Sequence, residues 1–211
     1  GQVRAAFAPP DPASGRAFRA WAQRPDVSAT RLGEPAKEFG PSQAPAPPAR
    51  AELARGVNLI GYAYGELGIG EDVRSAGRAL QAAGIPFVIY DCAQTLQSPQ
   101  NDTSMADHVS ETPVYDVNLF CMTGFETVGT ALRDGAWLIG NRRNIGFWPW
   151  ELPKWPASWR IAFDFVDEVW ASSTFTREAL ASEATVPVRK MPMVVSVPPP
   201  RDPQRTRFGL P

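Results

Sequence analysis

Histidine, cysteine and surplus charge are what this 211-residue chain has least of. One histidine, His108, and two cysteines, Cys92 and Cys121, supply no His/Cys set at metal-ligand spacing and no disulfide framework. Each cysteine follows an apolar run, so both are expected as buried reduced thiols, neighbours at one end of a sheet. Lys and Arg number 21 against 22 Asp and Glu, a formal net charge of −1. That balance lacks the basic field that nucleic acid or an anionic membrane surface attracts. No apolar run nears the roughly 20 residues that span a bilayer. The first residues lack a charged stretch followed by an apolar core, so no secretory signal is visible, and a cytoplasmic chain is expected. The sequon Asn101-Asp102-Thr103 then reads as chance. Residue 1 is Gly rather than Met, which predicts a processed or engineered piece.

Proline is abundant, and its distribution divides the chain. Residues 1–50 hold Pro9, Pro10, Pro12, Pro25, Pro35, Pro41, Pro45, Pro47 and Pro48 among Ala, Gly and Ser. Such composition cannot bury enough apolar area to offset its ordering cost. Residues 1–54 are therefore expected as a linker or partly ordered extension, with one short helix possible over residues 16–23, where Phe18 and Trp21 share a face. A second boundary is expected at Pro198-Pro199-Pro200, leaving a domain over residues 55–197 and a linker over 198–211.

Within that domain the organising stretch is residues 56–84. An apolar run, residues 57–62, predicts a strand near the sheet centre. A glycine-dense turn, Gly65, Gly68 and Gly70, then leads into an amphipathic helix with Val73, Ala76, Gly77 and Leu80 on one stripe. Glu71 and Asp72 fall in the first helical turns, where carboxylates suit the helix dipole. Gly84 is expected to stop the helix before a second strand over residues 85–91. Further strands are predicted over 116–122, 144–148, 168–171 and 188–195, with helices over 126–133, 156–165 and 175–184. Residues 93–114 read as a long polar loop that hides a helix near 103–109 and carries His108, a residue expected to be solvated rather than catalytic. Strands alternating with helices predict an α/β fold, a Rossmann-like doubly wound and mostly parallel sheet.

Ligands of such sheets lie at the carboxyl ends of the strands, so the glycine turn is the first candidate site. It is not the dinucleotide fingerprint, because Val73 stands where the third glycine belongs, although Asp91 sits where a ribose-binding acid would. The run Trp148-Pro149-Trp150-Glu151 is the second candidate. Two indoles and a carboxylate at a strand end suit a stacking wall with one polar anchor, as sugars require. The structural alternative is that Trp148 and Trp150 are core and Glu151 caps the next helix.

Four segments, GVNLIGYAYGELGIGED, NIGFWPWELPKWP, VDEVWASSTFTREAL and VRKMPMVV, resemble the amino-terminal half of a GT-B glycosyltransferase of the family-4 type, as found in a subset of bacterial enzymes. The resemblance covers roughly three-quarters of the chain and leaves out residues 1–50. It implies one of two Rossmann-like domains facing across a cleft, this one binding the acceptor and the other the nucleotide-sugar donor. Glu151 is then implied as the catalytic residue, near the loop where many members place a histidine. Gly68, Ile69, Gly70, Glu71, Trp148, Trp150, Ser172, Ser173 and Phe175 are implied as substrate-binding, with the glycines facing the donor phosphates. No cofactor and no metal are implied, there being no D-x-D, and the nucleotide sugar is a co-substrate. The family's E-x7-E element is absent, so the 211-residue chain alone is expected to be inactive. Two other readings stay open: a non-catalytic module binding a glycan or nucleotide, and a fragment of a dinucleotide-dependent enzyme.

Overall fold

The structure, a computed structural model, describes residues 46–92, 98–195 and 205–209. The helix expected over residues 16–23 and the boundary at Pro198-Pro199-Pro200 lie outside the described residues. In chain order the elements are β1 (Ala54–Gly61), α1 (Gly68–Ala82), β2 (Phe87–Asp91), β3 (Tyr115–Cys121), α2 (Gly124–Ile139), β4 (Arg143–Phe147), β5 (Glu168–Ala171), α3 (Thr174–Ala181) and β6 (Val188–Lys190). Short 3-10 segments occupy Ala106–His108 and Ala157–Phe165.

All six strands are parallel, in the order β2-β1-β3-β4-β5-β6, which is the expected Rossmann-like α/β sheet. One expectation is corrected: β1 lies one strand in from the edge, not at the centre. The crossover through α1 lays β2 outside β1, and the chain then returns to place β3 on β1's other side. The strand order therefore reverses between β1 and β3, the switch point at whose carboxyl ends open α/β sheets form their ligand crevice.

Neighbouring strand residues point to opposite faces, and both faces are buried here. Leu59, Leu119 and Ile145 face one core, with Val73 of α1 and Met105. Ile60, Phe120, Trp148 and Val169 face the other, with Val128 of α2, Phe163 of the 3-10 segment and Leu180 of α3. This two-sided burial is why the strands read as continuous apolar runs rather than alternations. On the α1 side, Phe147 and Trp170 stay half-buried beyond the helix. There Glu168 joins Arg143 at 2.8 Å and Arg189 at 3.3 Å across three strands.

Local chemistry explains where elements stop. Gly84, at φ +66°, lets the α1 carboxyl end close with Gly84 N–H on the Gln81 carbonyl and Ile85 N–H on the Leu80 carbonyl. α2 starts one residue after Thr123, whose Oγ1 accepts from Glu126 N–H while Glu126 accepts from Thr123 N–H. It runs to Ile139, past the expected end at 133, with a kink at Gly135. β6 is shorter than expected: Met191 N–H still reaches the Ala171 carbonyl, and Pro192 then has no N–H to continue.

The cysteines are both buried and reduced, as expected, but they are not neighbours. Cys92 follows β2 and Cys121 ends β3, with β1 between them, and they belong to opposite cores. His108 stacks on Phe87 at 4.3 Å between ring centroids, at the end of β2 away from the crevice. A bridge between Ile89 and Val109 lays the segment after His108 along the outer edge of β2. Among the described residues no helix is long and apolar enough to cross a membrane.

Candidate functional site

The glycine turn is built at the β1 exit, where the order of strands reverses. Leu67 precedes α1 without giving it a side-chain cap, so the first amides, at Gly68, Ile69 and Gly70, carry no described hydrogen bond. A Cβ on Gly68 would meet nothing within 4 Å, so the helix start is open on that side. Gly70 differs. Its Cβ would strike the Gly65 carbonyl oxygen, and its φ is not positive, so the close turn requires this glycine and no ligand need be invoked. Ile69 is half-buried against the core on the α2 side.

Arg74 fixes the turn from beneath. Its guanidinium, only 5% exposed, donates through Nη1 to the Ala63 carbonyl at 3.1 Å and the Gly65 carbonyl at 2.9 Å. Its Nε pairs with Glu71 at 3.2 Å and with Asp102 at 3.1 Å. Asp102 belongs to a loop seated on the turn through two backbone bonds, Glu66 N–H to Pro99 O and Asp102 N–H to Tyr64 O. That loop leaves Gln100 Oε1 buried without a partner, while Gln100 Nε2 is used on the Ser98 carbonyl. Glu71 is committed to Arg74, Ser75 and Arg78. Burial works to raise its carboxyl, but hydrogen bonds from Ser75 and Arg78 hold it below the ordinary range.

Asp72, expected from the sequence only as an early-helix acid suited to the dipole, proves to be buried. It is 8% exposed, and no hydrogen bond or ion pair reaches it among the described residues. Burial pushes its carboxyl up to about 6, with the charge of Glu71 adding to the rise. Burial, with the charge of Asp72 adding to it, raises the thiol of Cys121 at the carboxyl end of β3. A strongly perturbed carboxylate in a crevice is a functional candidate with a physical cause. On the α2 side, Tyr62 donates to Glu126 Oε1 at 2.7 Å across the β1 and β3 exits. The sequence signal for Glu126 was present in Thr123-x-x-Glu126, a capping-box spacing.

The second group lies at the exits of β4 and β5, two and three strands from β1, roughly 10–14 Å away at about 4.8 Å per strand. Trp148 is 1% exposed, its indole N–H donating to Thr127 Oγ1 at 3.0 Å, so it is core and offers no face to a sugar. The backbone explains its position: Gly146 leaves the space that the Trp148 ring fills. Trp150 is half-buried, packs on Trp155 and Trp159, and donates to the Lys154 carbonyl at 3.1 Å. Glu151 is exposed, without a described partner, so it does not cap the next segment as the structural alternative had it. Ser173 caps α3, accepting from Thr176 N–H at 3.0 Å, as its position before the helix predicts. Thr176 Oγ1 donates to the Trp150 carbonyl at 3.2 Å, tying the two exits together. Ser172 is half-buried beside it and Phe175 is 51% exposed.

Asp91, the candidate ribose acid, accepts from Ala63 N–H at 2.8 Å and so serves the β1 exit. Val73, in the place of the third fingerprint glycine, would lie against a Cβ built on Gly61. Among the described residues, no group of three or more His, Cys, Asp or Glu side chains stands together as a metal site. No protein-family model matches the chain, and no curated protein matches it.

Proposed function

We propose that this chain is the acceptor-side domain of a retaining glycosyltransferase, which moves a sugar from a nucleotide-sugar donor to a hydroxyl acceptor. One observation carries the reading. The four segments that bear the resemblance each run through the carboxyl end of a strand, β1, β4, β5 or β6, and so share one edge of the sheet. On that edge the β1–α1 turn offers free amides beside a buried carboxylate, the mixture of donors and acceptors that hydroxyl groups require. Half-buried Trp150 and exposed Phe175 and Leu152 supply apolar surface for the carbohydrate C–H faces. Catalysis in the whole enzyme rests on holding acceptor hydroxyl and donor carbon in register.

The test is an assay of the longest gene product containing this chain against a panel of nucleotide sugars, with methyl glycosides as acceptors. Transfer with retention at the anomeric carbon is expected. Binding of glycosides without transfer from any donor would favour the non-catalytic module instead. The dinucleotide reading is the weaker one, since Asp91 is engaged with Ala63 N–H and Val73 stands where the third fingerprint glycine belongs.

A further inference from the structure

We infer that residues 32–39, ahead of the first described residue, dock on the bare half of the sheet on the α1 side. Leu32 and Phe39 supply the apolar contact, and Glu34 and Glu38 meet two exposed arginines. The inference is independent of the transferase reading.

The face is set by where the helices lie. α1 packs on β1, β2 and β3, while α2, α3 and the Ala157–Phe165 segment belong to the opposite side. Among the described residues, no helix lies over β4, β5 and β6 on the α1 side. Parallel sheets are almost always covered on both faces, so this half lacks a layer. Its rows carry Arg143 and Phe147 of β4, Glu168 and Trp170 of β5, and Arg189 of β6. Phe147 and Trp170 are half-buried, and Met191, next along the β6 side, is 37% exposed. The Glu168 side chain is 7% exposed and holds both arginines, whose own side chains are 58% and 63% exposed. The face is thus an apolar centre flanked by guanidinium groups, two positive charges to one negative.

Tether and charge choose the occupant. Pro47 packs on Gly140, and Asn141 Nδ2 donates to the Pro48 carbonyl at 3.1 Å. The chain before Ala46 therefore joins the domain beside the amino end of β4, two residues ahead of Arg143. Phe39 is seven residues ahead of Ala46, a reach of up to about 25 Å. The face spans only about 10 Å from β4 to β6. Glu34 and Glu38 are the one pair of acids within five residues of each other between residues 1 and 45. The aromatic pair Phe18 and Trp21 is the rival, but it brings Arg16 and Arg19 to a face already positive.

The experiment pairs Ala36→Cys with Met191→Cys in the 211-residue chain, which keeps both glutamates and both arginines. Cys92 and Cys121 are buried and do not compete. Disulfide formation in air is followed by non-reducing electrophoresis and peptide mass spectrometry, with the fold checked by circular dichroism. A link within one chain is expected, at least tenfold faster than in a control pairing Ala22→Cys with Met191→Cys. The longer tether of the control accounts for only about fourfold. Adding Glu34→Arg and Glu38→Arg is expected to slow the link at least tenfold. Hydrogen exchange in the unsubstituted chain is the second measurement, with amides 36–39 expected to exchange at least tenfold slower than in an unfolded chain. A rate no faster than the control, a rate indifferent to charge reversal, or unprotected amides would each overturn the inference. So would a link formed only between two chains, which would seat a second copy on the face.

Discussion

Asn58 donates from Nδ2 to Asn118 Oδ1 at 2.8 Å, at the register position where β1 and β3 place the two residues side by side. Asn118 passes the arrangement on, donating to Asn144 Oδ1 at 2.9 Å on β4 and to the Leu138 carbonyl at 2.8 Å. All three amides are at most 2% exposed. A one-residue slip of any of these strands would put a carboxamide against hydrocarbon and leave its neighbour unpaired, so the ladder fixes the register of the central strands.

Asn118→Ala should therefore be among the most damaging single changes. It leaves Asn144 Oδ1 without its donor and takes from Asn58 Nδ2 one of its two acceptors, while the Leu138 carbonyl keeps Arg142; each loss is worth about 1–3 kcal/mol. A fall of about 3 kcal/mol or more in unfolding free energy, read from urea midpoints, is expected. A cost below about 1 kcal/mol would mean that water replaces the ladder.

Gly68 and Gly70 should part company on substitution by alanine. Gly68→Ala adds a methyl in open space at the first position of α1 and should gain about 0.4–1 kcal/mol. Gly70→Ala drives a methyl into the Gly65 carbonyl and should cost about 1–3 kcal/mol. Thermal unfolding of the two variants side by side checks the signs.

The Asp72 carboxyl titrates near 6 in the folded chain against an ordinary 3.8. Its contribution to stability is thus fully present below about pH 4 and lost as pH rises through about 6, a swing of about 3 kcal/mol. Asp72→Asn removes the swing. The variant should match wild type at pH 3.5 and exceed it by about 2–3 kcal/mol at pH 8, measured as urea midpoints across the range. Parallel curves for the two proteins would show that Asp72 is solvated.

Glu151→Gln separates chemistry from structure cleanly, because Glu151 is exposed and bonds no backbone amide among the described residues. Unfolding free energy should change by less than about 0.5 kcal/mol. If Glu151 acts as an anion in transfer, kcat of the longest gene product falls about 100-fold or more. An unchanged kcat removes Glu151 from the site.

The elements were legible where local chemistry speaks alone: the strands as apolar runs, the α1 stop at Gly84, the α3 cap at Ser173. Sites were less so, for identifiable reasons. Trp148 looked like a stacking wall because an indole after a strand has the same sequence signature whether it turns outward or folds back. Gly146 is what lets it fold back, and that contact is visible only in three dimensions. Asp72 looked like any acid near a helix start, and its burial depends on how closely α1 lies against the β3 exit. The position of β1 was misjudged because apolarity reports burial on two faces and carries no information about rank within the sheet.

The sheet's two outermost strands bear on how this chain behaves in crowded solution. β2 has five residues, preceded by Pro86, and its free side is met at Ile89 by the bridge to Val109. β6 has three residues, and Pro192 interrupts the pairing just beyond it. Neither margin presents a long, flat row of unpaired amides for another chain to zip onto. Edge-to-edge polymerisation is thus discouraged by construction, and the carboxyl edge is the one left to meet other molecules.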